Sequence, residues 1–347
     1  MAELASAADD RSDAANLAER LVSIDDIRRA AEMLRGVTLR TPLVPFGSSS
    51  DGEHRHLIKA ESLQPIGAFK LRGAYFAIAS LPADVRGRGV ITFSSGNHAQ
   101  GVARAARLLG APAIVVMPND APPLKAARVA ADGAEIVTVG PASDERREVA
   151  ERIAAERGLA VIPPFDDDRI ICGQGTCGLE IAEDVEDLAA VLVPIGGGGL
   201  ASGVAAAVKA MRPQAKVIGV EPELAADAQE SLAAGRIVAW PAELVSRTIA
   251  DGTRTQAIGR RTFAHLSVLL DGIVTVSEAE IAAAVRLAAE EARLVLEPSG
   301  ALSIAAMRFR PEEAGITGVT GTIVAIASGG NVDPDRYRAL LASPIPD

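Results

Sequence analysis

The segment QPIGAFKLRGA, residues 64–74, places one lysine, Lys70, among apolar and small neighbours. The chain carries 35 Lys+Arg, yet its only lysines are Lys59, Lys70, Lys125, Lys209 and Lys216. Positive surface charge is thus supplied mainly by arginine. A desolvated amine can lose its proton and act as a nucleophile, whereas a guanidinium effectively cannot. The competing reading of Lys70 is a stem that covers apolar surface while its head reaches water.

Three loops carry further chemistry. FSSGNHAQG (93–101) opens a predicted helix with five polar or glycine residues in a row, more than a cap requires. Its backbone N–H groups and hydroxyls suit an anion. PIGGGGLASG (194–203) lets the backbone approach a ligand closely and form a phosphate-cradling nest. No Gly-Lys-Ser/Thr follows, which excludes a Walker loop; Glu221 lies near the spacing of a dinucleotide fingerprint, a weakened rival. ASGGNVD (327–333) offers Ser328 at a strand end, and taken alone reads equally as a turn.

Each loop follows a β-branched run. Such runs occur at 56–60, 89–93, 111–117, 134–139, 190–195, 216–220, 272–276 and 322–327. Ala/Arg/Glu-rich stretches of helical period separate most of them, including 277–295 with its Ser277/Glu280 capping box, and a first helix is capped by Ser23 and closed by Gly36. Continuous apolar strands alternating with helices predict an α/β fold of mostly parallel sheets covered on both faces. Ligands bind beyond the carboxyl ends of such strands, where these loops lie. The block 87–165 reads as a small inserted βαβαβα domain ending in a Pro-rich hinge, VIPPFDDD. Residues 21–86 and 166–347 then form a large domain, and the acidic start, 1–20, a flexible arm.

Composition narrows the partners. A net charge of −10 disfavours a nucleic-acid face or an anionic membrane. The apolar window 189–208 is interrupted by four glycines, so no membrane span is expected. Cys172 and Cys177 make no disulfide framework, read as small core residues, and fit a cytoplasmic location. His54 and His56 read as solvated side chains of a polar loop.

An amine in apolar surroundings, an anion loop and a phosphate nest together point to a phosphorylated aldehyde cofactor held as an imine. Pyridoxal phosphate has those requirements. The motifs GAFKLRGA, SSGNHAQGVA, IPPFDD, GQGT, VPIGGGGL, TIADG and SGGN occur in the order found in one family. The chain resembles the serine/threonine dehydratase and serine racemase group of fold type II pyridoxal-phosphate enzymes, which are tryptophan synthase β-like. The resemblance runs from about residue 20 to the end.

The resemblance implies two lobes, each with a mostly parallel sheet flanked by helices, and a homodimer. It makes Lys70 the Schiff-base lysine and the base that removes the substrate α-proton. Phe69 would pack near the cofactor ring and Asn97 would hydrogen-bond the ring hydroxyl oxygen. Ser94, Ser95, Asn97 and His98 would hold the substrate carboxylate. Gly196, Gly197, Gly198, Gly199 and Leu200 would cradle the phosphate, and Ser328 would meet the ring nitrogen. VEPELAADAQES (220–231) resembles the family's cation site, with Glu221, Ala225 and Asp227 as oxygen ligands suited to Mg²⁺ or another hard divalent ion.

The implied reaction is β-elimination of water from L-threonine or L-serine, giving a 2-oxo acid and ammonia. Ser95 is the family's second base, so serine racemisation stands beside it, as does action on 3-hydroxyaspartate. Ile66 and Ala99 depart from the residues many relatives carry there. A nucleotide-binding protein with a structural Lys70 is the reading from another class.

Overall fold

The computed structural model describes residues 21–47, 54–94, 96–119, 121, 123–140 and 143–346; the predicted arm, 1–20, lies outside them. The strands in chain order are β1 (Leu43–Pro45), β2 (His54–Lys59), β3 (Val90–Phe93), β4 (Ala113–Pro118), β5 (Glu135–Val139), β6 (Ala160–Val161), β7 (Leu188–Pro194), β8 (Lys216–Pro222), β9 (Gly272–Val276) and β10 (Gly321–Ile326). They form a six-stranded sheet, ordered β1-β2-β10-β7-β8-β9, and a four-stranded sheet, ordered β5-β4-β3-β6. Every pairing is parallel except β1 with β2.

Burial explains why these segments became strands. Every residue of β4 is buried, as are all but one of β7, so their Val, Ile and Leu side chains pack on both faces of the sheet. The smaller sheet enters the chain between β2 and β7. β1 and β6 are three and two residues long, too short to produce a pattern in sequence.

The window 189–208 folds as β7, a glycine loop and the helix Gly199–Met211. Among the described residues, no helix is long and apolar enough to cross a membrane. Cys172 and Cys177 are both buried and unpaired.

The expected caps are present. The Ser23 side chain accepts from Asp26 N at the start of helix Ile24–Met33, and the Ser277/Glu280 box opens helix Glu278–Ala292. That second helix stops three residues before the predicted 295. Arg293 turns left-handed (φ 60°), and the chain continues with Leu294 and Leu296 buried and Val295 exposed. This extended alternation brings Glu297 to the start of helix Pro298–Phe309.

Candidate active site

β10 lies between β2 and β7, so the segments leaving β10 and β7 emerge side by side at one sheet end. Residues 327–331 follow β10, and the glycine run 196–199 follows β7. Helix Lys70–Ala79 is tied to the same place: Phe69 N donates to the Ser328 carbonyl at 3.1 Å, and Ala68 bridges Gly329. Lys70 is therefore the first residue of a helix that begins against the SGGN loop.

Lys70 Nζ donates to the Pro164 carbonyl at 2.7 Å and lies 5.1 Å from the centre of the Phe69 ring. Burial lowers its pKa from 10.5 to about 8, because desolvation penalises the ammonium. The acceptor is a neutral carbonyl, so it holds the amine in place without a counter-ion.

The glycine loop comes next in space. A Cβ on Gly197 would overlap the Phe165 ring, and Phe165 directly follows the residue that accepts from Lys70. Gly198 has φ +90° and begins helix Gly199–Met211 with no side-chain cap, so the first N–H groups have no intrahelical or capping partner. A phosphate fits such an end, being anionic and rich in acceptors. A Cβ on Gly196 would lie 3.2 Å from the Cα of Thr253, the residue after the TIADG segment, and Gly252 N donates to Ser299 Oγ at 2.8 Å. Ser328 Oγ in turn lies 3.4 Å from the Ser299 carbonyl.

From the smaller sheet comes helix Asn97–Leu109, directly after β3. Ser94 Oγ accepts from Gly96 N at 3.2 Å; Ser95 lies outside the described residues. His98 is buried with Nε2 3.1 Å from the Ile162 carbonyl, and burial, then the Lys70 charge, push its pKa down to about 3. The ring is thus neutral and turned toward Ile162, and its Nδ1 is buried with no partner.

Asn97 Nδ2 donates to Glu297 Oε1 at 2.5 Å, and Asn97 Oδ1 accepts from Asn331 Nδ2 at 2.8 Å. Burial first, then the Asp251 charge, raise Glu297 to about 7, while Lys125 and the Asn97 bond pull it back. Lys125 pairs with Asp251 at 2.9 Å.

Beneath this helix lies a buried charge cluster. Arg72, two residues after Lys70, makes a fork to Glu61 with both contacts at 2.8 Å. It also donates to Glu180 at 2.6 and 2.9 Å and to Thr176 at 3.0 Å. Lys59 closes the cluster, donating to Glu180 at 2.6 Å and to the Thr41 carbonyl at 2.7 Å. Burial would raise Glu61, but Arg72 overcomes it and holds the carboxyl below its ordinary value.

The candidate cation residues lie at the end of β8 (Glu221) and in the segment that follows it (Ala225 and Asp227), apart from these loops. Glu221 Oε1 and Oε2 accept from Ala228 N and Gln229 N at 3.0 and 2.8 Å. Both Asp227 carboxylate oxygens are buried with no partner of full hydrogen-bond geometry; only the backbone N–H groups of Asp227 itself and Ile258 approach closely enough to favour its charge. Burial, then Asp227, raise Glu221 well above its ordinary value, and burial raises Asp227 to about 7. Two buried carboxylates, one unpartnered, fit a divalent cation, although no group of three or more His, Cys, Asp or Glu occurs among the described residues.

Lys70, Phe69, Asn97, Gly197 and Ser328 are thus linked by direct contacts through Pro164, Phe165 and Gly329. Glu297, Asn331 and Phe165 were not singled out from sequence as site residues. The available signals were the acidic residue before Pro298, the asparagine closing SGGN, and the aromatic in IPPF.

Parallel strands that deliver a desolvated amine to an uncapped helix N-terminus put the chain among α/β enzymes that work on a phosphorylated cofactor. It belongs to the family described as pyridoxal-phosphate dependent enzyme, whose model matches residues 34–329. The chain is 41% identical over 318 residues to the L-threo-3-hydroxyaspartate ammonia-lyase of Saccharomyces cerevisiae, covering 91% of this chain and 95% of that one. It is 39% identical over 323 residues to the serine racemase of Schizosaccharomyces pombe, covering 93% and 98%. A solved threonine deaminase, that of T.th., matches with TM-score 0.81 and 44% identity, over 90% of this chain and 99% of that one. The expected fold type II architecture is borne out, and the chain falls among the ammonia-lyases and racemases of that family.

Proposed function

We propose that this protein eliminates water from L-threonine or L-serine, with Lys70 as the reacting amine and pyridoxal phosphate as cofactor. The observation that carries the reading is Lys70 itself: a desolvated amine, shifted to about 8 and held by a carbonyl, next to a helix start that lacks a cap. Bound pyridoxal phosphate supplies an electron sink for the pair left when a proton leaves the substrate α-carbon.

The chain's own groups supply the rest. Lys70, whose neutral fraction is raised by burial, takes the α-proton. Gly196, Gly197, Gly198, Gly199 and Leu200 present backbone N–H groups to the phosphate, and Phe69 packs against the ring. Ser94, Ser95, Asn97 and His98 form the loop for the substrate carboxylate, where helix Asn97–Leu109 begins. Ser328 offers a hydroxyl to the ring nitrogen. A hydroxyl, unlike a carboxylate, does not stabilise a proton there, so charge at the α-carbon is best discharged by expelling the β-hydroxyl.

A second reading rests on the relatives: a hydroxyaspartate ammonia-lyase at 41% identity and a serine racemase at 39%. Racemisation needs a base on the face opposite Lys70, the role assigned to Ser95. Glu221, the Ala225 carbonyl and Asp227 are proposed to bind Mg²⁺ or a similar ion, supported by the unpartnered Asp227 carboxylate. A cytoplasmic homodimer completes the proposal. The buried free cysteines fit the compartment, and exposed Val295 and Leu63, whose chain neighbour Ser62 lies with Val295 beside Gly330, give a second copy an apolar face. Assay of the cofactor-loaded protein on L-threonine, L-serine, D-serine and L-threo-3-hydroxyaspartate tests the reading; oxo acid from none of the hydroxy amino acids, without interconversion of the serine enantiomers, would sink both.

A further inference from the structure

Four side chains at this cleft form a hydrogen-bond chain whose direction is set by its two ends. Arg128, on helix Pro123–Ala131, donates to Asn331 Oδ1. Asn331 Nδ2 donates to Asn97 Oδ1 and to the Ile66 carbonyl, each at 2.8 Å. Asn97 Nδ2 donates to Glu297 Oε1 at 2.5 Å. A guanidinium has only donors, and Glu297, ionised above its value of about 7, only accepts, so each amide between them has one orientation that satisfies both neighbours. Flipping Asn97 would set its oxygen against Glu297 and its N–H groups against those of Asn331.

The locked orientation decides what Asn97 can offer a ligand. Its oxygen is taken by Asn331, and one of its two amide hydrogens is taken by Glu297. The function left over is a single N–H. The backbone of Gly329 closes over the contact; a Cβ there would strike Glu297 Oε1 and lie 3.2 Å from Asn97 Nδ2.

We propose that Asn331 and Glu297 are positioning residues that lock the Asn97 amide so that it presents one N–H to the hydroxyl oxygen of pyridoxal phosphate. This rests on the cofactor reading given above. Asn97 and Arg128 come from the part of the chain that builds the smaller sheet, whereas Glu297 and Asn331 flank the larger one. The lock therefore forms only when the two parts meet. A donor at the hydroxyl oxygen stabilises its ionised form. Without it, the ionised oxygen holds the neighbouring imine proton more tightly, and the bound cofactor titrates at higher pH. Lys125, Asp251 and Arg336 also act on the charge of Glu297, so the test perturbs Asn97 from both ends.

The experiment is a spectrophotometric pH titration of the holoenzyme as wild type, Asn331→Asp, Glu297→Ala and Glu297→Gln, with melting temperatures taken alongside. Asn331→Asp keeps an acceptor for Arg128 but turns a donor toward Asn97 into an acceptor. The cofactor's spectral transition should move up by about one pH unit in Asn331→Asp and Glu297→Ala, the size of one lost hydrogen bond. Glu297→Gln, whose carbonyl still accepts, should cancel most of the shift and return the transition close to the wild-type pH. Wild-type titration in both Asn331→Asp and Glu297→Ala would overturn the proposal whatever happens to melting. A shift in Glu297→Gln as large as in Glu297→Ala would also overturn it, because charge and not amide polarity would then be the cause. Should Glu297→Ala fail to fold, Asn331→Asp against wild type decides. Wild-type protein that acquires no visible absorbance after cofactor loading would fail the cofactor reading itself, a distinct outcome.

Discussion

Lys70 Nζ donates to the carbonyl of Pro164, 94 positions away in sequence, at 2.7 Å. The next residue, Phe165, covers Gly197 of the glycine loop. One short segment thus fixes both the amine and the wall of the proposed phosphate nest.

The amine's protonation gives the first prediction. Burial lowers Lys70 to about 8, so the neutral, nucleophilic form grows as pH rises to that value and is nearly complete one to two units above it. Stopped-flow uptake of pyridoxal phosphate by the apoprotein should accelerate with pH, pass its midpoint near 8 and level off one to two units above it. A rate that keeps climbing toward the ordinary lysine range would show that Lys70 is not desolvated. Lys70→Ala should abolish both the visible absorbance and turnover.

Gly197 is tested by adding one methyl group. Its Cβ would overlap the Phe165 ring, so Gly197→Ala must displace Phe165 or the loop. Overpacking of this kind costs about 1–3 kcal/mol, which corresponds to a roughly 5- to 150-fold weaker hold on the cofactor if the loop gives way. Equilibrium dialysis of pyridoxal phosphate measures it. Unchanged affinity would remove this loop from the phosphate site.

The carboxylates at the end of β8 and just beyond it predict a pH-dependent response to cations. Glu221 and Asp227 both titrate above their unfolded values in the metal-free protein, Asp227 at about 7. Stability from groups of this kind is present at low pH and is lost as pH rises through the folded value. A bound cation offsets that loss, so Mg²⁺ or Ca²⁺ should raise the melting temperature little below about pH 5 and by several degrees above about pH 8. Asp227→Asn should remove most of the effect. Equal shifts at both pH values would argue against binding at these carboxylates.

Arg72 is expected to serve stability. Its side chain is 1% exposed and its guanidinium neutralises Glu61, which is fully buried. Arg72→Met would leave that carboxylate with only uncharged partners and the more distant Lys59, a loss of about 3–5 kcal/mol in urea unfolding. A loss below about 1 kcal/mol would mean that the cluster rearranges to pair Glu61 with Lys59.

Much of this arrangement was legible because its signals are local. Runs such as AVLVPI and TIVAIA announced β7 and β10, whose neighbouring ends carry the glycine loop and Ser328. Lys70 stood out because lysine is scarce in this chain. Pro164 was visible only as part of a hinge, since a carbonyl acceptor leaves no mark on residue type. Glu297 was hidden for another reason. The helical period continues to 295, and only the left-handed turn at Arg293 releases the chain toward Asn97, 200 positions away. Contacts at that separation are made by the fold and cannot be read from spacing.

The most direct test of the account is a steady-state assay of the cofactor-loaded protein with L-threonine, L-serine, D-serine and L-threo-3-hydroxyaspartate, following 2-oxo acid and chiral composition in the same tubes, with Lys70→Ala as control. The account predicts oxo acid from L-threonine or L-serine, outpacing any loss of chirality and absent in the variant. Turnover that survives in Lys70→Ala, or interconversion of serine enantiomers faster than oxo acid release, would contradict it.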